Sequence, residues 1–154
     1  MTDLRRDREQ GLKEVAAAWI SLWQGGDLHS FDDLHAPDFV DHSPSGRTPD
    51  RARFLGGIVE LYRAFPEFHG TIEDLVVDSG SGKVAVRWTA RGTHEGTFLG
   101  VPRTGTRVDF TGIEIIRVAG GRVVERWGEW DGLGIIEQLR MHAGSRKGCP
   151  QDTD

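Results

Sequence analysis

The stretch GIEIIRVAGGRVVERWGEWDGLGIIEQL, Gly112 to Leu139, decides how the chain folds. Hydrophobic side chains alternate up to Val118, the chain breaks at Gly120-Gly121, and an extended pattern resumes from Arg122 to Trp130. Two such runs across a glycine pair read as an antiparallel hairpin. Asp131 then stands where a carboxylate caps free backbone N–H groups, opening a helix that runs through Leu139. Upstream, the same period of two marks Thr71 to Asp78 and Lys83 to Thr93, turned by Ser79-Gly80-Ser81-Gly82, and a strand from Arg107 to Val118. Before about His69 the period is helical. Leu12, Val15, Ala16, Trp19, Ile20, Leu22 and Trp23 form one wide apolar face, stopped by Gly25-Gly26.

A short helical turn is expected at Phe31 to Leu34, then a loop from Ala36 to Arg47. Thr48-Pro49 opens a further helix, with threonine as cap and proline at the first helical position. Leu55, Ile58, Val59, Leu61 and Tyr62 supply its buried face, and Pro66 marks its end. Helices on one face of a meandering antiparallel sheet make an α+β domain. Strands this long curl, so the sheet is expected to form a cone whose open end the helices close over an internal pocket. Residues 1–140 are read as one domain and residues 141–154, polar and without period, as a loose tail.

Composition narrows the function. The 154 residues carry a net charge of −5 with acids and bases interspersed, and no basic stripe suited to nucleic acid. No run approaches the roughly 18 apolar residues that cross a membrane, so membrane partners are not expected. The charged N-terminus does not read as a secretory signal. With Cys149 as the single cysteine, internal disulfides are excluded and the cytoplasm is the expected location.

Several segments, in order, resemble one family: HAPDFVDHSP (35–44), AFPEF (64–68), VRWTARGTHEGTFLGVPRTGTRV (86–108) and the stretch quoted first. From about residue 10 to 140 the chain is similar to the SnoaL-like polyketide cyclases and related ester cyclases, which share the nuclear-transport-factor-2-like cone fold. The resemblance implies an intramolecular ring closure by acid–base catalysis in a closed apolar cavity, without metal or cofactor. It also exposes a departure. Anchored on Asp131, the catalytic aspartate of the anthracycline cyclases falls at Gly128, a pocket glutamine at Gly112 and a pocket histidine at Glu114. The fold carries over; the aldol machinery of those cyclases does not.

Candidate catalytic residues follow. His94 shares parity with Val84, Val86, Trp88 and Ala90, so its imidazole is expected inside the cone, able to move a proton near neutral pH. Glu114 lies on a strand that is apolar on both faces, and the resemblance favours placing it inside, where desolvation raises a carboxyl pKa. Asp131 caps the last helix and could also orient His94 or the substrate. His42 is a further pocket candidate. Trp19, Trp23, Phe39, Tyr62, Phe65, Trp88, Phe98, Phe110, Trp127 and Trp130 are expected to converge on one interior, some as core and the others as walls for a flat organic ligand. His35, Asp38, Asp41 and His42 contain metal-ligating types but match no established spacing, and no metal site is expected.

The reading is a cyclase or isomerase acting on an activated carbonyl compound, with His94 moving the proton and Glu114 or Asp131 as second group. An epoxide hydrolase or hydroxylase on the same fold, or a non-catalytic binding protein, are the alternatives. Apolar residues on both faces of Gly112 to Val118 also point to a homodimer built on the outer sheet face.

Overall fold

The computed structural model describes residues 2–43 and 45–145. Helix α1 (Thr2–Ile20) passes into a 3₁₀ turn (Ser21–Trp23), and a one-turn helix α2 (Phe31–Leu34) leads into strand β1 (His35–Asp41). Then come α3 (Arg51–Ala64), β2 (His69–Asp78), β3 (Lys83–Thr93), β4 (Arg107–Ala119), β5 (Arg122–Trp130) and α4 (Gly132–Ser145). The five strands form one sheet in the order β1-β5-β4-β3-β2. All neighbours are antiparallel except β1, which joins β5 in parallel.

Three expectations need correction. His35–Asp41 is an edge strand, not part of a loop: its pairing partner lies far along the chain, at Val123 to Arg126, so no local period announces it. The cap of α3 is Asp50, whose carboxylate accepts from the Arg53 N–H at 2.9 Å, while Thr48 hydrogen-bonds that same carboxylate. The last helix continues to Ser145, past Arg140, so 141–145 is not loose; the rest of the expected tail, with Cys149, lies outside the described residues.

Curvature comes from irregular pairing. The register shifts between Ile72 and Asp74 in β2, between Arg117 and Val118 in β4, and between His35 and Val40 in β1. Each bulge bends its strand and adds twist. The concave face carries Val84, Val86, Val108, Phe110 and Ile116, all buried, and α1 lays Leu12, Ala16, Trp19 and Ile20 against it. Helix α3 adds Phe54 and Ile58. At the other end, α4 buries Ile135 and Leu139. There β4 runs beyond the end of β5, and the Gln138 amide supplies the missing neighbour: it donates to Asp109 O at 2.8 Å and accepts from Asp109 N at 2.9 Å. Among the described residues no helix is long and apolar enough to cross a membrane.

Candidate active site

Between α1, α3 and the concave face lies a cavity of about 500 Å³. That is within the ordinary range for small-molecule sites. Trp19, Trp23, Trp88, Phe98, Phe110 and Trp130 wall it. Phe39 and Phe65 are instead fully packed in the core, and Tyr62 spends its hydroxyl on the Leu22 carbonyl at 2.8 Å. Trp127 is a correction. It lies on the outer sheet face, stacked on His42 with ring centroids 4.6 Å apart and with the Lys83 ammonium 5.0 Å from its ring. His42 is therefore outside as well, its Nε2 3.1 Å from Glu125. The bulge opposite Arg117 and Val118 explains both: it lets Val123 and Arg126 share the inner face and turns Trp127 out.

The polar end of the cavity is a buried ion-pair cluster. Arg126 donates to both oxygens of Glu114, from Nε at 2.7 Å and from Nη2 at 3.2 Å, and from Nη1 to Asp41 at 2.7 Å. Its guanidinium carbon stands 4.9 Å from the Phe54 ring centroid. Glu114 and Arg126 line the cavity; Asp41, fully buried, stands behind them. Burial pushes the Glu114 carboxyl above its ordinary pKa, opposed by the charge and hydrogen bonds of Arg126. The carboxylates in turn hold the Arg126 pKa up against the burial that would lower it.

Two glycines make room for this arrangement. Gly128 pairs directly with Glu114, and a Cβ there would collide with Glu114 Oε2 and Arg126 Nη2. A Cβ on Gly112 would collide with the Trp88 indole. The space beside residue 128, where the resemblance puts the cyclases' aspartate, is thus filled by a carboxylate reaching across from β4.

His94 is buried, as its parity implies, but it is not among the cavity walls. Its Nδ1 accepts from the Thr104 N–H at 3.2 Å and lies 2.9 Å from the Thr104 hydroxyl, and its ring packs on Phe65. Accepting at Nδ1 puts the neutral ring's proton on Nε2, which is buried with no hydrogen-bond partner among the described residues. Burial also lowers its pKa. Asp131 is exposed and caps α4 through the Gly134 N–H at 2.9 Å, away from Glu114. The metal-ligating types scatter: His35 in the core, Asp38 exposed, Asp41 on Arg126, His42 outside. From the sequence, a neighbouring arginine such as Arg87 or Arg126 is an available partner for Glu114, but Asp41 as a second carboxylate is not apparent. Arg126 is one of four charged residues in β5, so no local signal singled it out, and its partner 85 positions away left none.

Comparison with known proteins places the fold. The sequence profile of the SnoaL-like polyketide cyclases matches residues 13–139. An aklanonic acid methyl ester cyclase, DnrD of Streptomyces peucetius, is 28% identical over 103 residues, 67% of this chain and 69% of that one. The crystal structure of IdmH, a proposed polyketide cyclase of Streptomyces antibioticus, superposes with a TM-score of 0.74 at 34% identity, covering 84% of this chain and 98% of that one. AclR of Streptomyces galilaeus, a proposed hydroxylase, superposes with a TM-score of 0.77 at 26% identity, covering 86% and 98%.

Proposed function

Since this chain belongs to the SnoaL-like polyketide cyclase family, we propose that it closes a ring in a small polyketide-like carbonyl compound by acid–base catalysis at Glu114. The observation that carries the reading is a carboxylate with a raised pKa on the wall of an open, aromatic-lined cavity. Glu114 takes a proton from a carbon flanked by carbonyls. The resulting enolate attacks a second carbonyl carbon in the same molecule, and the alkoxide so formed takes the proton back. One carbon–carbon bond forms, one carbonyl becomes a hydroxyl, and the mass does not change. Arg126 holds the carboxylate in place and offers positive charge as the enolate develops. The aromatic walls keep the chain folded with its reacting ends close, which supplies much of the acceleration. His94 anchors the loop after β3 and transfers no proton in this scheme.

The test is turnover of aklanonic acid methyl ester, the compound in the relative's name, followed as a product of equal mass and altered retention. Glu114→Gln should bind the ester nearly as well as wild type and lose turnover by roughly 10²–10⁴-fold. His94→Gln should keep most of it. If His94→Gln is inactive while Glu114→Gln turns over, the histidine is the proton carrier. One observation favours a second reading, hydrolytic epoxide opening: two carboxylates share Arg126, and Asp41 Oδ2 has no hydrogen-bond partner among the described residues. Diol formation from a cyclic epoxide, without ring closure of the ester, would select it.

A further inference from the structure

Arg47 lines the cavity wall, and its Nε is buried with no hydrogen-bond partner among the described residues. The loop that carries it turns back through Ser45 and Gly46, both with positive φ (51° and 83°). Its guanidinium settles against α3 at Gly57: a Cβ on that glycine would stand 2.7 Å from both Arg47 Cζ and Nη1. A side chain at that position would displace the guanidinium. The charge partner of Arg47 is Asp41 Oδ2 at 3.9 Å, too far for a hydrogen bond, because Asp41 gives its other oxygen to Arg126. Arg47 Nε is buried with no partner among the described residues, and so is Asp41 Oδ2. A guanidinium offers five donors in a fixed fork that matches paired oxygens. Among the described residues, Nε is unpartnered and Nη2 has only the 3.9 Å approach of Asp41.

The charge of the walls points the same way. The chain is net acidic, yet three arginines (Arg47, Arg63 and Arg126) line the cavity against two glutamates, Glu60 and Glu114. We infer that Arg47 anchors an anionic oxygen pair on the substrate, a carboxylate or the enolate of a 1,3-dicarbonyl unit, with the planar carbon skeleton lying against Trp23, Trp88 and Phe110. This rests on reading the cavity as the substrate site and adds the substrate class: acidic, planar, with adjacent oxygens. Arg47, Asp41, Arg126 and Glu114 form one continuous chain of contacts, so the anchored end is presented beside the group that moves the proton.

Calorimetric titration with 1-hydroxy-2-naphthoate and with its methyl ester tests the anchor without needing turnover. Wild type should bind the acid tighter than the ester by roughly tenfold or more, the range of a charge-assisted fork. Arg47→Met, which keeps the length of the side chain and removes its donors, should erase that preference while holding ester affinity within about twofold. The unchanged ester affinity reports an intact cavity. The inference is overturned if Arg47→Met keeps the preference, or if wild type prefers the ester or binds neither compound. Glu114→Gln should lose turnover and keep the acid preference, so failure of the anchor and failure of the ring-closing reading give different results.

Discussion

His35 has both ring nitrogens engaged. Nδ1 donates to the Phe31 carbonyl at 2.8 Å, and Nε2 accepts from the Trp19 indole at 3.0 Å. The ring is stacked on Phe31 and edge-on to Phe39 and Phe54, so only the neutral form fits, and burial lowers its pKa to about 4. The unfolded chain takes up this proton near pH 6.5, the folded chain only near pH 4. Stability is therefore whole above about pH 6.5 and drains away as pH falls toward 4, by up to about 3 kcal/mol from this group. Denaturant titrations from pH 7 to 4.5 should show that loss in wild type. His35→Gln should be less stable at pH 7 and show a shallower decline; an equally steep one would mean that other groups set the acid sensitivity. The same scale shows where sequence reading runs out. His35 and His94 are the same residue type in apolar company, and parity put His94 inside correctly. Whether a buried imidazole faces a cavity or a hydrogen-bond partner depends on residues such as Thr104 and Trp19, which no period reveals.

Among the elements, the connection from β3 to β4 governs the cavity. Glu95 and Gly96 donate to the Ala64 carbonyl at the end of α3, and Phe98 and Val101 bridge each other across a tight turn. Both central residues of that turn have positive φ, Leu99 at 49° and Gly100 at 73°. Asparagine-glycine is the pair such turns favour, and a leucine there is strained. Its apolar side chain lines the cavity instead. Leu99→Asn should stabilise the fold by about 0.5–1 kcal/mol, a rise in Tm of roughly 1–4 °C, while weakening binding of an apolar ligand. A lower Tm would show that the leucine's packing outweighs its backbone. Elements were the most legible level: β3 and β5 run as their alternation predicts, from Lys83 to Thr93 and from Arg122 to Trp130. What alternation could not carry was a bulge. One extra residue in β5 reverses the facing of all that follows, and Trp127 went outside for that reason alone.

Seen as a whole molecule, the sheet has a second apolar surface. Val76, Ala85, Ile115 and Trp127 pair in register across four strands and form one row on the convex side. Val76 is 67% exposed, Ile115 38% and the neighbouring Ile113 53%. Charged positions flank the row: Asp78, Lys83, Arg117 and Glu125 on one side, Asp74, Arg87 and Glu129 on the other. An apolar stripe bordered by both signs of charge suits association with a second copy of itself. Light scattering at micromolar concentration should give twice the 17.1 kDa chain mass, and Ile115→Lys should return it to one. A monomeric wild type would rule the pairing out. Apolar residues on both sides of β4 made this surface visible in the sequence. The Asp41 arm of the charged cluster was invisible there, because β1 meets β5 only in three dimensions. That parallel pairing has a consequence for the chain in the making. Asp41 leaves the ribosome 85 residues ahead of the arginine that will hold it. A nascent or prematurely ended chain can shape the hairpin of β2 and β3, but it carries a lone carboxylate on an unattached segment, without the arginine that pairs with it. The buried ion-pair cluster can be completed only late, when the final hairpin closes on the first strand.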